Sequence, residues 1–213
     1  IAMNKRVLGN YGSQSAAANS NIGKFGGILG WVSGAGNPRI SSGAGFAAGG
    51  YNATTKLVSA YTPGTARTLT EDIFLDTMKE IGRDRKDASY CAFMNIDQKS
   101  VISRTFTGVA QLTQEVGAPN KSFGLQGTVG FIRTDQGVVS LHYDHTAPDD
   151  AVVIIDKEYW ELRDLEPWST QTLGITGLSM EKQVYTSTTL AALEPDSSGA
   201  IVDLAAWQDI WRA

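Results

Sequence analysis

The chain has 213 residues, 18 Lys and Arg against 22 Asp and Glu, a formal charge of −4, and one cysteine. At about 150 residues per domain that length suits one domain or one and a half, and it can bury a core without structural metals; the lone Cys91 excludes a disulfide framework within the chain. The longest nearly apolar run, residues 25–32, is far short of the roughly 20 residues a spanning helix needs, so no membrane partner is expected.

The charge is unevenly placed. Residues 1–70 contain no Asp or Glu and carry Lys5, Arg6, Lys24, Arg39, Lys56 and Arg67, a charge of +6. Residues 71–213 hold all 22 acids against 12 bases, a charge of −10. This reads as an interaction tail, as complementarity between subunits, or as a sparsely charged loop region. The six cations are too dilute for a nucleic-acid patch. Twelve of the 23 glycines fall between Gly9 and Gly50. Glycine raises the entropy cost of ordering a chain, so this segment is expected to be ordered against something else, or only in part.

Residues 1–9 read as the tail of a helix. Ile1, Lys5 and Leu8 fall near one side, and Gly9 or Asn10 supplies a left-handed stop. A helix already under way at residue 1, in a chain that does not begin with Met, leads us to expect further sequence upstream. No basic leader with an apolar stretch and a cleavage site opens the chain, so no retained secretion signal is expected. Residues 11–68 read as a long excursion with short pieces of structure, anchored by the apolar run at 25–32.

Residues 70–86 predict the best helix. Thr70 caps its N-terminus, Glu71 and Asp72 sit in the first turn, and Arg83, Arg85 and Lys86 lie near the last, as the helix dipole favours. Phe74, Met78 and Ile81 make one buried stripe. Residues 89–94 predict a strand, and Asn95-Ile-Asp-Gln98 a capping signature before a second helix ending near Phe106.

The second half reads mostly as strand. Residues 128–133 and 138–143 flank Thr134-Asp-Gln-Gly137, a hairpin signal. Residues 151–155 predict a wholly apolar central strand, and residues 156–160 a single helical turn. Residues 184–193 predict a long β-branched strand, and residues 195–199 a turn before a further segment at 200–204. Trp207, Ile210 and Trp211 fall at helical spacing in a short tail. That stripe packs either on its own domain or on a partner. No repeat of 20–50 residues is visible, which excludes a solenoid.

Residues that carry chemistry are few. His142-Tyr-Asp-His145 is the one metal-like cluster. On a strand, His142 and Asp144 share a face while His145 points the other way, and a zinc site needs three or four converging ligands. Polar groups at a strand end are expected, and a small metal-dependent enzyme at His142 and His145 is the outside alternative. The glycine-rich run at 43–50 lacks a Gly-Lys-Ser/Thr ending and a preceding buried strand, so it is not expected to cradle a phosphate. Cys91 lies within an apolar strand and reads as structural.

The triplets Asn52-Ala-Thr and Asn120-Lys-Ser carry no weight without a secretory route. No Gly-X-Ser-X-Gly elbow is present, and Asp149-Asp150 reads as a solvated turn. No catalytic residue, no metal ligand and no cofactor is expected.

An ordered set of segments resembles one family. Asp156-Lys-Glu-Tyr-Trp-Glu-Leu-Arg-Asp-Leu-Glu-Pro-Trp-Ser-Thr170 is similar to a segment of tailed-bacteriophage major capsid proteins of the Hong Kong 97 type. Thr176-Gly177, Glu181-Lys182, the long strand at 184–194 and Asp196-Ser-Ser-Gly-Ala-Ile201 follow in the family's order. Upstream, Leu69-Thr-Glu71, Phe93-Met-Asn95, Gln98-Lys-Ser-Val-Ile-Ser103 and Thr107-Gly108 resemble further family segments, as does Phe25-Gly-Gly-Ile-Leu-Gly-Trp-Val32. The resemblance covers about residues 5–204. It departs at Ile96, where the family has proline, and at Gly174-Ile175, where it has a small residue and lysine. The family's N-terminal arm and extended loop have no counterpart in this sequence.

The resemblance implies an α+β, Hong Kong 97-like capsid fold. Residues 1–68 would be the end of the spine helix and a glycine-rich peripheral-domain excursion. Residues 69–183 would be the axial domain, and residues 184–213 a return strand to the peripheral domain with a C-terminal tail. It implies a structural major capsid protein, not an enzyme. Copies would form the hexamers and pentamers of an icosahedral head that encloses double-stranded DNA without sequence-specific binding. Decoration or portal proteins would be further partners. The protein would sit in the virion after assembly in the host cytoplasm. An encapsulin-like nanocompartment shell is the alternative within the same fold.

Overall fold

A computed structural model describes residues 7, 25–84, 88–106, 130–177 and 179–205. In chain order the elements are α1 (Ile28–Val32), β1 (Ile40–Ser41), β2 (Gly50–Asn52), β3 (Leu57–Ser59), α2 (Glu71–Ile81), β4 (Ala88–Met94), α3 (Ile96–Thr105), β5 (Phe131–Thr134), β6 (Gly137–Tyr143), β7 (Val152–Asp156), β8 (Trp160–Thr176), β9 (Ser179–Ala192) and β10 (Gly199–Ile201). The architecture is α+β, as expected. Among the described residues no helix is long and apolar enough to cross a membrane.

The centre is a six-stranded sheet in the order β1-β10-β7-β4-β6-β5. β4 pairs parallel with β6 and antiparallel with β7, while β10 pairs antiparallel with β7 and parallel with β1. All five residues of β7 are buried, which fits the wholly apolar central strand that the sequence predicts.

Side chains alternate across a strand, so this sheet builds two cores. Tyr90, Ala92, Met94, Val152, Ile154 and Ile201 join Phe74, Met78 and Ile81 of α2 and Val101 and Ile102 of α3 on one face. Cys91, Val153, Ile155 and Ala200 join Ile28, Leu29 and Val32 of α1 on the other. Cys91 is thus a buried free thiol, as read from its strand.

Local chemistry sets the helix ends. The Ile73 amide donates to Thr70 Oγ1 (3.4 Å), which caps α2. The α-helix is shorter than predicted: it stops at Ile81 and continues as a 3₁₀ turn over Gly82–Asp84. Arg83 pairs with Glu80 at 2.6 Å across that end. Lys86 lies outside the described residues, as does Arg85.

α3 starts at its predicted cap, where the Ile96 amide donates to Asn95 Oδ1. The capping box itself does not form. Gln98 does not turn back to Asn95; it is buried, and its Nε2 donates to the carbonyls of Asp149 (2.9 Å) and Ala205 (3.0 Å). Those two bonds fix the side chain pointing inward, so its oxygen is not carried back to the Asn95 amide.

Several other expectations hold with shifted bounds. The hairpin is β5–β6, with Thr134 opposite Gly137. A 3₁₀ turn at Lys157–Tyr159 follows Asp156, whose carboxylate accepts the Glu158 amide. The turn before β10 is Pro195–Ser197. Of the helix expected at 1–9 only Val7 is described; it is helical and packs against the second core. The expected tail stripe, Trp207, Ile210 and Trp211, lies outside the described residues, as does Asn120.

The element that sequence periodicity missed is β8. It is 17 residues long and pairs antiparallel with the 14 residues of β9. The strand predicted at 184–193 is therefore one arm of a two-stranded ribbon. Its base is tied to the rest of the fold: Leu190 is buried in the second core and Trp160 Nε1 donates to Ser198 Oγ (2.7 Å), just before β10.

Candidate functional site

The glycine-rich excursion is held by one buried carboxylate. Asp203 is buried and sits at φ 59°, a left-handed conformation uncommon outside glycine. Its Oδ2 accepts the Gly43 amide (2.9 Å) and its Oδ1 the Gly64 amide (2.9 Å). Its carbonyl accepts the Arg67 amide (2.8 Å). Both glycines are required by packing. A Cβ on Gly43 would lie 2.0 Å from the Thr65 carbonyl oxygen, and one on Gly64 2.7 Å from that of Ala44.

Of the run at 43–50 only the Gly43 amide meets an anion, and that anion is the chain's own aspartate. Burying a carboxylate is costly unless donors surround it, and two backbone amides meet that need in an acid-free segment.

The surroundings of Asp203 are strongly perturbed. Burial, with Asp150 and Asp203 nearby, pushes the Tyr61 hydroxyl above its usual range. Burial, with some relief from its own amide and opposition from Asp203 and Asp149, raises the Asp150 carboxyl. Burial lowers the Arg67 guanidinium, which Asp203 partly offsets. Arg67 Nη2 also donates to Ser41 Oγ (2.7 Å). Asp149-Asp150 is therefore only half a solvated turn, because Asp150 faces inward towards these groups. Sequence reading missed Asp203; its signal was a lone acid between Ile201, Val202 and Leu204.

The histidine cluster is placed differently from expectation. β6 ends at Tyr143 and the chain turns at His145, so His145 does not continue on the far face. Its Nδ1 lies 3.7 Å from Asp144 Oδ1. That oxygen accepts the Thr146 amide (2.8 Å) and hydroxyl (2.7 Å). Burial works upward on Asp144, but the Thr146 hydrogen bonds and His145 outweigh it and hold the carboxyl below its usual range.

His142 stacks on Phe93 with ring centroids 5.4 Å apart. Among the described residues no three His, Cys, Asp or Glu side chains are grouped to hold a metal. Asn52 lies in the β2–β3 turn, where its Oδ1 accepts the Thr54 (2.8 Å) and Thr55 (3.1 Å) amides.

The β8–β9 ribbon exposes large apolar side chains. Leu165 is 85% exposed, Trp168 69% and Val184 61%. Register shifts aim the first two outward. Asp164 faces Thr188 and Glu166 faces Ser187, which leaves Leu165 as an extra residue; between Glu166 and Ser169 the two residues Pro167 and Trp168 stand against the single Thr186, so one of them is extra. Bulges re-aim side chains in this way, and proline fits there because the ladder asks no donor of it.

A second surface lies at the β2–β3 corner. There Trp31 and Tyr51 stack at 5.6 Å beside a shallow cavity of about 360 Å³, which Arg39 and Asp196 close with an ion pair of 3.3 Å.

Among the described residues the ribbon thus leaves tryptophan and leucine exposed. Residues 1–205 match the family model described as SU10 major capsid protein. The chain belongs to that family, whose role is structural and whose place is the virion capsid. No curated protein matches the chain. Among solved structures it is similar to a virus-like particle from Pyrococcus furiosus, at 11% identity and a TM-score of 0.36 over 66% of this chain and 55% of that one. It is also similar to the holo-SrpI encapsulin complex from Synechococcus elongatus, at 17% identity and a TM-score of 0.39 over 67% of this chain and 51% of that one. The chain spans about half the length of these two structures.

Proposed function

We propose that this chain is a shell subunit which packs into the hexamers and pentamers of an icosahedral head around double-stranded DNA. The observation that carries the reading is the capsid-family match over residues 1–205. Residues 1–68 belong to the peripheral domain, residues 69–183 to the axial domain, and residues 184–213 return to the periphery. The work of the molecule is burial of area and matching of charge between copies, and it carries out no reaction. DNA is enclosed without base readout, in keeping with the dilute cations of residues 1–70. Assembly takes place in the host cytoplasm, and decoration and portal proteins are further partners.

The test is electron microscopy of the full-length purified product, with particle mass from light scattering and nucleic-acid content from absorbance. Closed shells that hold DNA support the reading. Shells that hold a protein cargo and no nucleic acid overturn it in favour of a nanocompartment. A stable monomer that turns over a substrate overturns it altogether.

A further inference from the structure

We propose that residues 43–65 form one hairpin that opens and closes as a unit, apart from both cores, with the Asp203 carboxylate as its latch. The latch does not depend on the shell-subunit reading above, because every contact it uses lies within one chain.

The hairpin extends well below β2 and β3. Towards its tip Gly50 faces Ser59, Tyr51 faces Val58 and Asn52 faces Leu57. Nearer the base Ala47 and Thr62 exchange both backbone hydrogen bonds (3.1 and 2.9 Å), and the Thr65 amide donates to the Ala44 carbonyl (2.7 Å). The register is constant from base to tip, so one ladder runs the length of the two arms. At the tip the Lys56 amide donates to the Asn52 carbonyl (2.8 Å). At the base Asp203 takes one amide from each arm, Gly43 and Gly64.

Both arms leave the body at one segment. On one side the Ala200 amide donates to the Arg39 carbonyl (3.1 Å) and the Val202 amide to the Ser41 carbonyl (2.9 Å). On the other the Arg67 amide donates to the Asp203 carbonyl (2.8 Å) and the Ala205 amide to the Arg67 carbonyl (2.9 Å). Residues 200–205 therefore hold both exits, and the Asp203 side chain bridges the arms where they part from the body.

The rest of the hairpin is thinly packed. Between residues 43 and 65 only Gly50, Val58 and Tyr61 are buried, and Gly43, Gly45, Gly49, Gly50 and Gly64 supply no side chain. β2 and β3 form a sheet of their own, separate from the six-stranded one. The Tyr51 ring stacks on Trp31 and Tyr61 joins the second core, so the closed form is favoured. Segments with few buried apolar contacts open at lower cost than the whole fold, and glycine gains most from release. Two charge-assisted bonds at the base oppose that release.

The test is native-state proteolysis of the full-length chain as purified. Lys56 lies in the exposed tip, and trypsin needs the arms around it to come apart. Cleavage then reports the open population when closing is fast. Asp203→Asn removes the charge and keeps a residue that tolerates the left-handed backbone. It is expected to speed cleavage after Lys56 at least tenfold, as read by mass spectrometry. Thr70→Ala, which weakens α2 in the first core, is expected to leave that rate within about twofold. An unchanged rate in Asp203→Asn overturns the latch. An equal rise in Thr70→Ala overturns separate opening, because cleavage then requires the whole fold to open. Hydrogen exchange of the unsubstituted chain reads the unit directly. The amides of Ala47, Thr62 and Thr65 are expected to share one opening constant, at least tenfold above that of the β7 amides. Exchange of these three together with β7, or each at its own constant, overturns the proposal.

Discussion

β7 and β8 follow one another in the chain and share a preference for strand, yet they end in opposite environments. β7 is buried at every position, with α2 and α3 on one side and α1 on the other. β8 carries two tryptophans and three leucines and exposes Trp168 and all three leucines. The difference lies in what each face meets. β7 sits third in a six-stranded sheet, where alternation gives both faces a core. β8 has one neighbour and three register shifts, so its apolar side chains have no single face to cover. Apolar residues in the sheet hold the subunit together; among the described residues those on the ribbon stay exposed.

That contrast can be broken by substitution. The largest effect is expected at Ile154→Ala, a fully buried position in the central strand. It should cost about 2–5 kcal/mol, because the cavity adds to the lost transfer energy, and the shift in urea midpoint measures it. Next is Asp203→Ala. It leaves the amides of Gly43 and Gly64 without their acceptor, at about 1–3 kcal/mol for each buried donor left unsatisfied. Hydrogen exchange at those two amides should accelerate more than exchange in β7. Removing the α2 cap by Thr70→Ala should cost about 1 kcal/mol by the same denaturation assay.

The ribbon should behave otherwise. Trp168→Ala is expected to change monomer stability by less than about 0.5 kcal/mol, as surface substitutions generally do. An equal cost at Trp168 and Ile154 would erase the distinction drawn here.

The smallest effect is pH-dependent. Asp150 has its folded pKa raised, so the folded state binds the proton more tightly than the unfolded chain does. Stability then falls as pH rises from about 4, the unfolded value, through the raised folded value. Asp150→Asn should raise Tm modestly at pH 7 and leave it unchanged below about pH 4, as thermal melts at the two pH values will show.

Much of the sheet was legible because local and global preferences agree there. The α2 stripe, the apolar run of β7 and the Gly137 turn each carry a single period or a single turn residue, and each forms. β8 was hidden because its bulges destroy the period of two. Leu162, Leu165 and Trp168 are spaced by three, and Pro167 argues against a strand. Gln98 was misread because its partners, the carbonyls of Asp149 and Ala205, are remote in sequence. Asp203 was missed for the same reason. A lone acid in an apolar run announces that it needs donors, but not that two glycines far upstream supply them. The glycine-rich excursion itself was expected to lean on something else, and its partner lies in the same chain.

The distance between those partners has a consequence for synthesis. The Gly43 amide and the carboxylate that receives it are 160 residues apart, and the Gly64 pair 139. At about 5–20 residues per second, the ribosome makes the donors roughly 8–30 s before the acceptor. Until Asp203 emerges, the upstream segment has neither its anion nor β10 as a neighbour for β1. The segment between Gly43 and Gly64, which holds β2 and β3, therefore reaches its final setting only after Asp203 is made. A chain cut before Asp203 lacks the acceptor for both amides.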